Sequence, residues 1–167
     1  LNNEEIIIED HMVEIKNIKT TERGEWFTPH VVEPAFGIDR IIWHILEHSH
    51  KEILKEDDET YTILSLNKNI APLDFSVYPL YEKDGMKEVA QDIIKKMRGV
   101  SGINVNYDGS KSIGRRYARG DEVGVPFAIT VDHQTLEDNT ITLRERDSQK
   151  QERMSIDNLL KFVSDFL

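Results

Sequence analysis

INVNYDGSKSIGRRYARGDEVGVPFAITV, residues 103–131, reads as a strand, a helix and a second strand in succession. Ile103 to Tyr107 alternates apolar and polar residues, the period of a half-buried strand. Asp108-Gly109-Ser110 reads as a turn. Ser112 stands at an N-cap position and opens a short helix over Ser112 to Glu122. Phe127 to Val131 is a second apolar run of strand length.

The same alternation continues on both sides. Upstream, Leu73 to Leu80 reads as a strand and Gly85 to Arg98 as a helix with Met86, Val89, Ile93, Ile94 and Met97 inward. Downstream, an Asp-rich turn leads to a strand over Thr140 to Arg146, and Ser155 to Phe166 forms a final amphipathic helix. Strands and helices in this order predict an α/β sandwich built on a mixed sheet flanked by helices.

Before residue 69 the pattern differs. Glu5 to Glu9, Met12 to Ile18 and Trp26 to Val32 read as strands, the last stopped by Pro34. Two strands without a partner layer are marginal in water, so the first pair is expected to belong to a larger sheet. Ile38, Ile41, Ile42, Ile45 and Leu46 recur at helical spacing and predict a helix over Phe36 to His50 with one buried face. Lys51 to Glu59, with acidic Glu56 to Glu59, reads as a solvated turn or linker. A boundary near residue 69 divides the chain into 1–69 and 70–167.

Composition bounds what the chain can do. No stretch approaches the roughly 20 apolar residues of a membrane helix, so no membrane partner is expected. The absence of cysteine removes disulfides and thiolate metal sites and fits a cytoplasmic protein. The net charge of -10 argues against an overall basic nucleic-acid binder, but its distribution is uneven. Residues 1–70 carry 7 Lys or Arg against 15 Asp or Glu, and residues 71–167 carry 14 against 16. Lys111, Arg115, Arg116 and Arg119 face only Asp108 nearby, a local positive surplus suited to phosphate.

Two segments carry chemistry. In PHVVEPAFGIDR, residues 29–40, Arg40 falls at the start of a helix that follows a strand, and its planar fork suits bidentate phosphate binding. The plainer reading pairs Arg40 with Asp39 or Glu33. In the second segment Arg115 and Arg119 share one helical face, while Ile113 and Tyr117 share another that packs. Single-stranded bases are read by stacking and by hydrogen bonds to exposed edges, with phosphates held by Lys and Arg. Arg115, Arg116, Arg119, Arg144 and Arg146 supply such groups, and Asp108, Ser110, Ser112 and Asp147 offer acceptors and donors to base edges. The competing reading ties the arginines to Asp121, Glu122, Glu145 and Asp147. Tyr117 is expected in the core.

The words PHVVEP, GIDR and EHS resemble motif 3 of class II aminoacyl-tRNA synthetases, in the form found in the glycine-specific enzymes of archaea and eukaryotes. SIGRRYAR, DEVGVPF and LRERDS are similar to the anticodon-binding domain of the same family. The resemblance covers residue 26 onward. It implies that residues 1–69 are the C-terminal remnant of a class II catalytic domain and that residues 70–167 are an anticodon-binding domain. It also implies that Arg40 contacts the γ-phosphate of ATP as a catalytic residue, with Glu33, Ala35 and Gly37 lining the ATP and glycine pocket. Ala35 stands where the family often carries serine, and Asp39 where many relatives carry glycine. The implied partners are a glycine tRNA, glycine, the remainder of the catalytic domain and a second copy in a homodimer, with ATP and Mg²⁺ as substrates of the whole enzyme. Motifs 1 and 2 have no counterpart before residue 26, so this fragment alone is expected to be inactive.

Two rivals stand beside this reading. His44-Ile45-Leu46-Glu47-His48 matches the His-x-x-Glu-His pattern of inverted zinc peptidases, although no third ligand stands out and no bound metal is expected. The other rival is a non-catalytic tRNA-binding accessory protein built on an anticodon-binding fold.

Overall fold

A computed structural model describes residues 5–54, 60–100 and 102–166. The chain divides into two units, Leu1–Ala35 and Phe36–Leu167.

In the first unit the described residues form no helix or strand apart from a single 3-10 turn at Asp10–Met12. The strands expected at 5–9, 12–18 and 26–32 do not form, and Ile6, Ile8, Ile15, Trp26 and Val32 are exposed. A strand is held by its neighbour, and none of the described residues in this unit supplies one.

The second unit opens with α1 (Ile38–Ser49), within a residue or two of its expected limits. The helix forms, but the burial expected for its apolar face does not: Ile38, Ile41, Ile42, Trp43 and Leu46 are exposed. An antiparallel hairpin follows, β1 (His50–Leu54) with β2 (Thr60–Leu64). The linker reading of residues 51–59 is therefore corrected for Lys51–Leu54, where the charge of Lys51 and Glu52 hid the strand, and residues 55–59 lie outside the described residues.

Next come β3 (Phe75–Pro79), α2 (Met86–Met97), β4 (Val105–Tyr107), α3 (Ile113–Val123), β5 (Phe127–Val131), α4 (His133–Asp138), β6 (Thr140–Glu145), β7 (Gln151–Ser155) and α5 (Ile156–Phe166). The five strands form one sheet in the order β4-β3-β5-β6-β7. β3, β4 and β5 are parallel, and β6 and β7 are antiparallel to their neighbours, which makes the sheet mixed.

Beyond the β1–β2 hairpin, two further elements were not expected. α4 replaces part of the Asp-rich turn; Asp132 caps it by accepting from the Thr135 amide at 3.0 Å, while the Thr135 hydroxyl closes the capping box at 3.0 Å from the Asp132 amide. Six residues are too few for helical periodicity to show. β7 is polar, and its register against β6, Ile141 opposite Met154, is what makes it a strand.

The pleat sends alternate side chains to opposite faces. Phe75, Val77, Ile129, Val131, Ile141 and Leu143 join Met86, Ala90, Ile93, Met97, Leu159 and Val163 in one core beneath α2 and α5. The other face carries Tyr78, Thr130 and Arg144 and is covered by α3: the Tyr117 hydroxyl lies 2.5 Å from Thr130 Oγ1 and its ring meets Tyr78 edge-on. Tyr117 thus takes the packing role read from its spacing.

Candidate nucleic-acid interface

β3 lies between β4 and β5, so the β3–α2–β4 and β4–α3–β5 crossovers run in opposite directions and place their helices on opposite faces. The loops that follow β3 and β4 consequently lead to opposite faces, and loops that diverge in this way leave a crevice at the carboxyl ends of the strands in open α/β sheets. The loop following β4, residues 108–112, lies there.

That loop is fixed from within. The Arg116 guanidinium, 3 % exposed, donates through Nε to the Ser110 carbonyl at 2.8 Å and through Nη2 to the Gly109 and Lys111 carbonyls at 3.0 and 2.8 Å. Its Nη1 donates to the Pro79 carbonyl at the end of β3. Asp108 accepts from the Ser110 amide at 2.8 Å and from Arg119 through Nε at 3.1 Å. Burial opposes charge on Asp108, yet the bonds from Arg119 and Ser110 outweigh it and hold the carboxyl below the usual carboxylate range. Lys111 takes a left-handed φ of 63°, which turns the chain into α3. Ser112 occupies the N-cap, but its hydroxyl does not cap the helix.

With the loop held, Ser110, Lys111, Ser112 and Arg115 face solvent. Among the described residues, the Lys111 ammonium and the Arg115 guanidinium have no hydrogen bond or ion pair. At the same sheet end, Tyr107 donates to Glu82 at 2.9 Å; burial and then this bond push its hydroxyl up to about 12. Glu82 and Tyr107 carry no motif, so sequence reading passed over them.

The other expected arginines sit elsewhere. Arg144, on β6, is buried beside Asp121 at 3.0 and 2.9 Å, and its guanidinium lies over the Tyr117 ring at 4.8 Å from the centroid. Burial disfavours its charge, but Asp121 outweighs that and raises its pKa. Arg146 donates to the carbonyls of Gly124 and Leu66 at 2.8 and 2.9 Å and pairs with Asp147 at 2.7 Å. Asp147 also accepts from Ser65 at 2.6 Å. Arg146 and Asp147 follow the end of β6 that pairs with Phe127, at the opposite end of the sheet from Asp108. The structure therefore brings together Asp108, Ser110, Ser112, Arg115, Arg116 and Arg119, and separates them from Arg146 and Asp147.

Residues 66–166 match the family model described as "Anticodon binding domain". The chain belongs to the anticodon-binding domain family. It is 48 % identical over 161 residues to a glycine–tRNA ligase of Methanocaldococcus jannaschii, covering 96 % of this chain and 27 % of that protein. A glycine–tRNA ligase of Methanothrix thermoacetophila is 44 % identical over 160 residues, again 96 % of this chain and 27 % of the relative. The chain spans about a quarter of the length of these relatives. Among solved structures, prolyl-tRNA synthetase from Cryptosporidium parvum aligns with a TM-score of 0.55 at 18 % identity, over 62 % of this chain and 23 % of that one. This is a likeness of fold. The mixed sheet flanked by helices is thus the architecture of this domain family.

Glu33 and Ala35 are exposed in the first unit, while Gly37 stands at the N-cap of α1 and Arg40 in its first turn. Arg40 is exposed and does not pair with Asp39. Among the described residues no helix is long and apolar enough to cross a membrane.

Proposed function

We propose that this chain is the tRNA-reading part of a glycine–tRNA ligase, and that it recognises the anticodon of a glycine tRNA through the loop and first turn that follow β4. The observation that carries this reading is the pair of unpartnered cations, Lys111 and Arg115, beside Ser110 and Ser112 on a loop clamped by Arg116, in a chain of the anticodon-binding family. Phosphates lie against the two cations, and the hydroxyls of Ser110 and Ser112 with the amides of the loop meet base edges. Arg119 and Asp108 present a half-exposed ion pair that can open toward a base. Arg116, Arg144 and Arg146 act by holding the surface in shape.

Residues 1–69 act as the C-terminal part of the catalytic domain, with Arg40 on the γ-phosphate of ATP and Glu33, Ala35 and Gly37 at the adenylate pocket of the whole enzyme. ATP, Mg²⁺ and glycine are substrates of that whole enzyme, which works in the cytoplasm as a homodimer. The chain alone is inactive, because one arginine cannot hold ATP and glycine in attack geometry.

Crosslinking of the chain to an anticodon stem-loop bearing a photoreactive nucleotide at the central anticodon position tests the assignment. Adducts within residues 108–119 support it, and adducts confined to residues 145–147 overturn the placement.

A further inference from the structure

One motif is left unused by RNA reading: His44, Glu47 and His48 on α1. Spaced i, i+3 and i+4, they share one face of the helix. One ligand atom from each lies within 4.8 Å of the others, and all three side chains are exposed. His48 Nδ1 lies 2.8 Å from the His44 carbonyl oxygen. A carbonyl can only accept, so Nδ1 carries the proton and Nε2 keeps its lone pair for a ligand, the arrangement in which a metal-binding imidazole is oriented by its other nitrogen. His44 Nδ1 stands 4.0 Å from Glu47 Oε2. Two ligands about 2.0–2.1 Å from one tetrahedral ion are roughly 3.3 Å apart, a distance that small side-chain rotations reach.

We propose that this helix face binds one borderline transition-metal ion, of the zinc or nickel class, through His44, Glu47 and His48, with water completing the shell. Two imidazoles and one carboxylate select such ions over Mg²⁺ or Ca²⁺. The ion lies in the last two turns of α1, where the helix dipole favours positive charge. The site is a chelate and not a hydrolytic centre, because the ligands stand on an open helix face that encloses no substrate. Its effect is to tie together two turns of a helix whose apolar face is uncovered in this chain.

Calorimetric titration of the full 167-residue chain with Zn²⁺ and separately Ni²⁺ tests the proposal. The expected result is one saturable ion per chain, reversed by EDTA, weakened at least tenfold by His44→Ala and by His48→Ala and less by Glu47→Gln, and unchanged by His30→Ala or His133→Ala. Circular dichroism confirms that the exposed-site variants keep their fold. Wild-type binding no tighter than that of the His44→Ala/His48→Ala variant, or binding that only His48→Ala removes, overturns it.

Discussion

Arg144 and Asp121 form a two-pronged ion pair on the α3 face of the sheet, at 3.0 and 2.9 Å, with side chains only 6 % and 4 % exposed. The Tyr61 hydroxyl of the hairpin donates to the same Asp121 carboxylate, and burial followed by this bond raises the tyrosine pKa. One carboxylate therefore joins β2, α3 and β6.

Removing one member leaves an uncompensated buried charge. Asp121→Asn is expected to cost about 3–5 kcal/mol, read from the urea midpoint. The double variant Asp121→Leu/Arg144→Met recovers more than half of that loss. A single-variant cost under about 1 kcal/mol contradicts the role assigned to this pair.

Arg116 and Arg115 are neighbours with opposite jobs. Arg116→Lys strips the planar fork from the carbonyls of Gly109, Ser110, Lys111 and Pro79 and is expected to cost about 2–3 kcal/mol. Arg115→Ala should shift stability by no more than about 0.5 kcal/mol while weakening RNA binding. Equal stability losses in the two variants would refute the distinction.

Salt dependence counts phosphate contacts. With Lys111 and Arg115 as the two cations on phosphate, log K against log salt should fall with a slope of about −1.4, and Lys111→Ala should reduce its magnitude by about 0.7. A slope unchanged by Lys111→Ala places the phosphates elsewhere.

Asp132 links α4 to β7: it accepts from Arg153 at 2.7 Å and caps the helix at the Thr135 amide. The Arg153 bonds lower its carboxyl to about 2. A depressed carboxyl contributes stability above its unfolded pKa, near 4, and that contribution is lost as pH falls toward 2. Asp132→Ala should cost about 1–2 kcal/mol at pH 7, and its difference from the wild type should shrink as pH falls from 4 toward 2, as followed by thermal melts.

Much of this architecture was legible in the sequence. β5 was read to the residue and α2 and α5 to within one or two, because each couples a clear period to a buried apolar face, and α3 was read to within one from the serine before it and the spacing of Ile113 and Tyr117. The β1–β2 hairpin, α4 and β7 escaped, the first behind its charged residues, the second for its length and the third because its pairing with β6 defines it. The expected strands before residue 33 show the reverse: a good pattern with no partner to hold it. At the site, residue type located the basic cluster but not its division of labour. Arg115 and Arg116 are adjacent letters, and only the carbonyls around Arg116 show which one is spent on structure.

The most direct test compares binding of a glycine-tRNA transcript with binding of the same transcript carrying a swapped anticodon, at two salt concentrations. If the loop after β4 reads anticodon bases, the swap weakens binding at least tenfold at both, and Arg115→Ala narrows the difference. Equal and steeply salt-sensitive affinity for both transcripts, or no binding at micromolar protein, would contradict it.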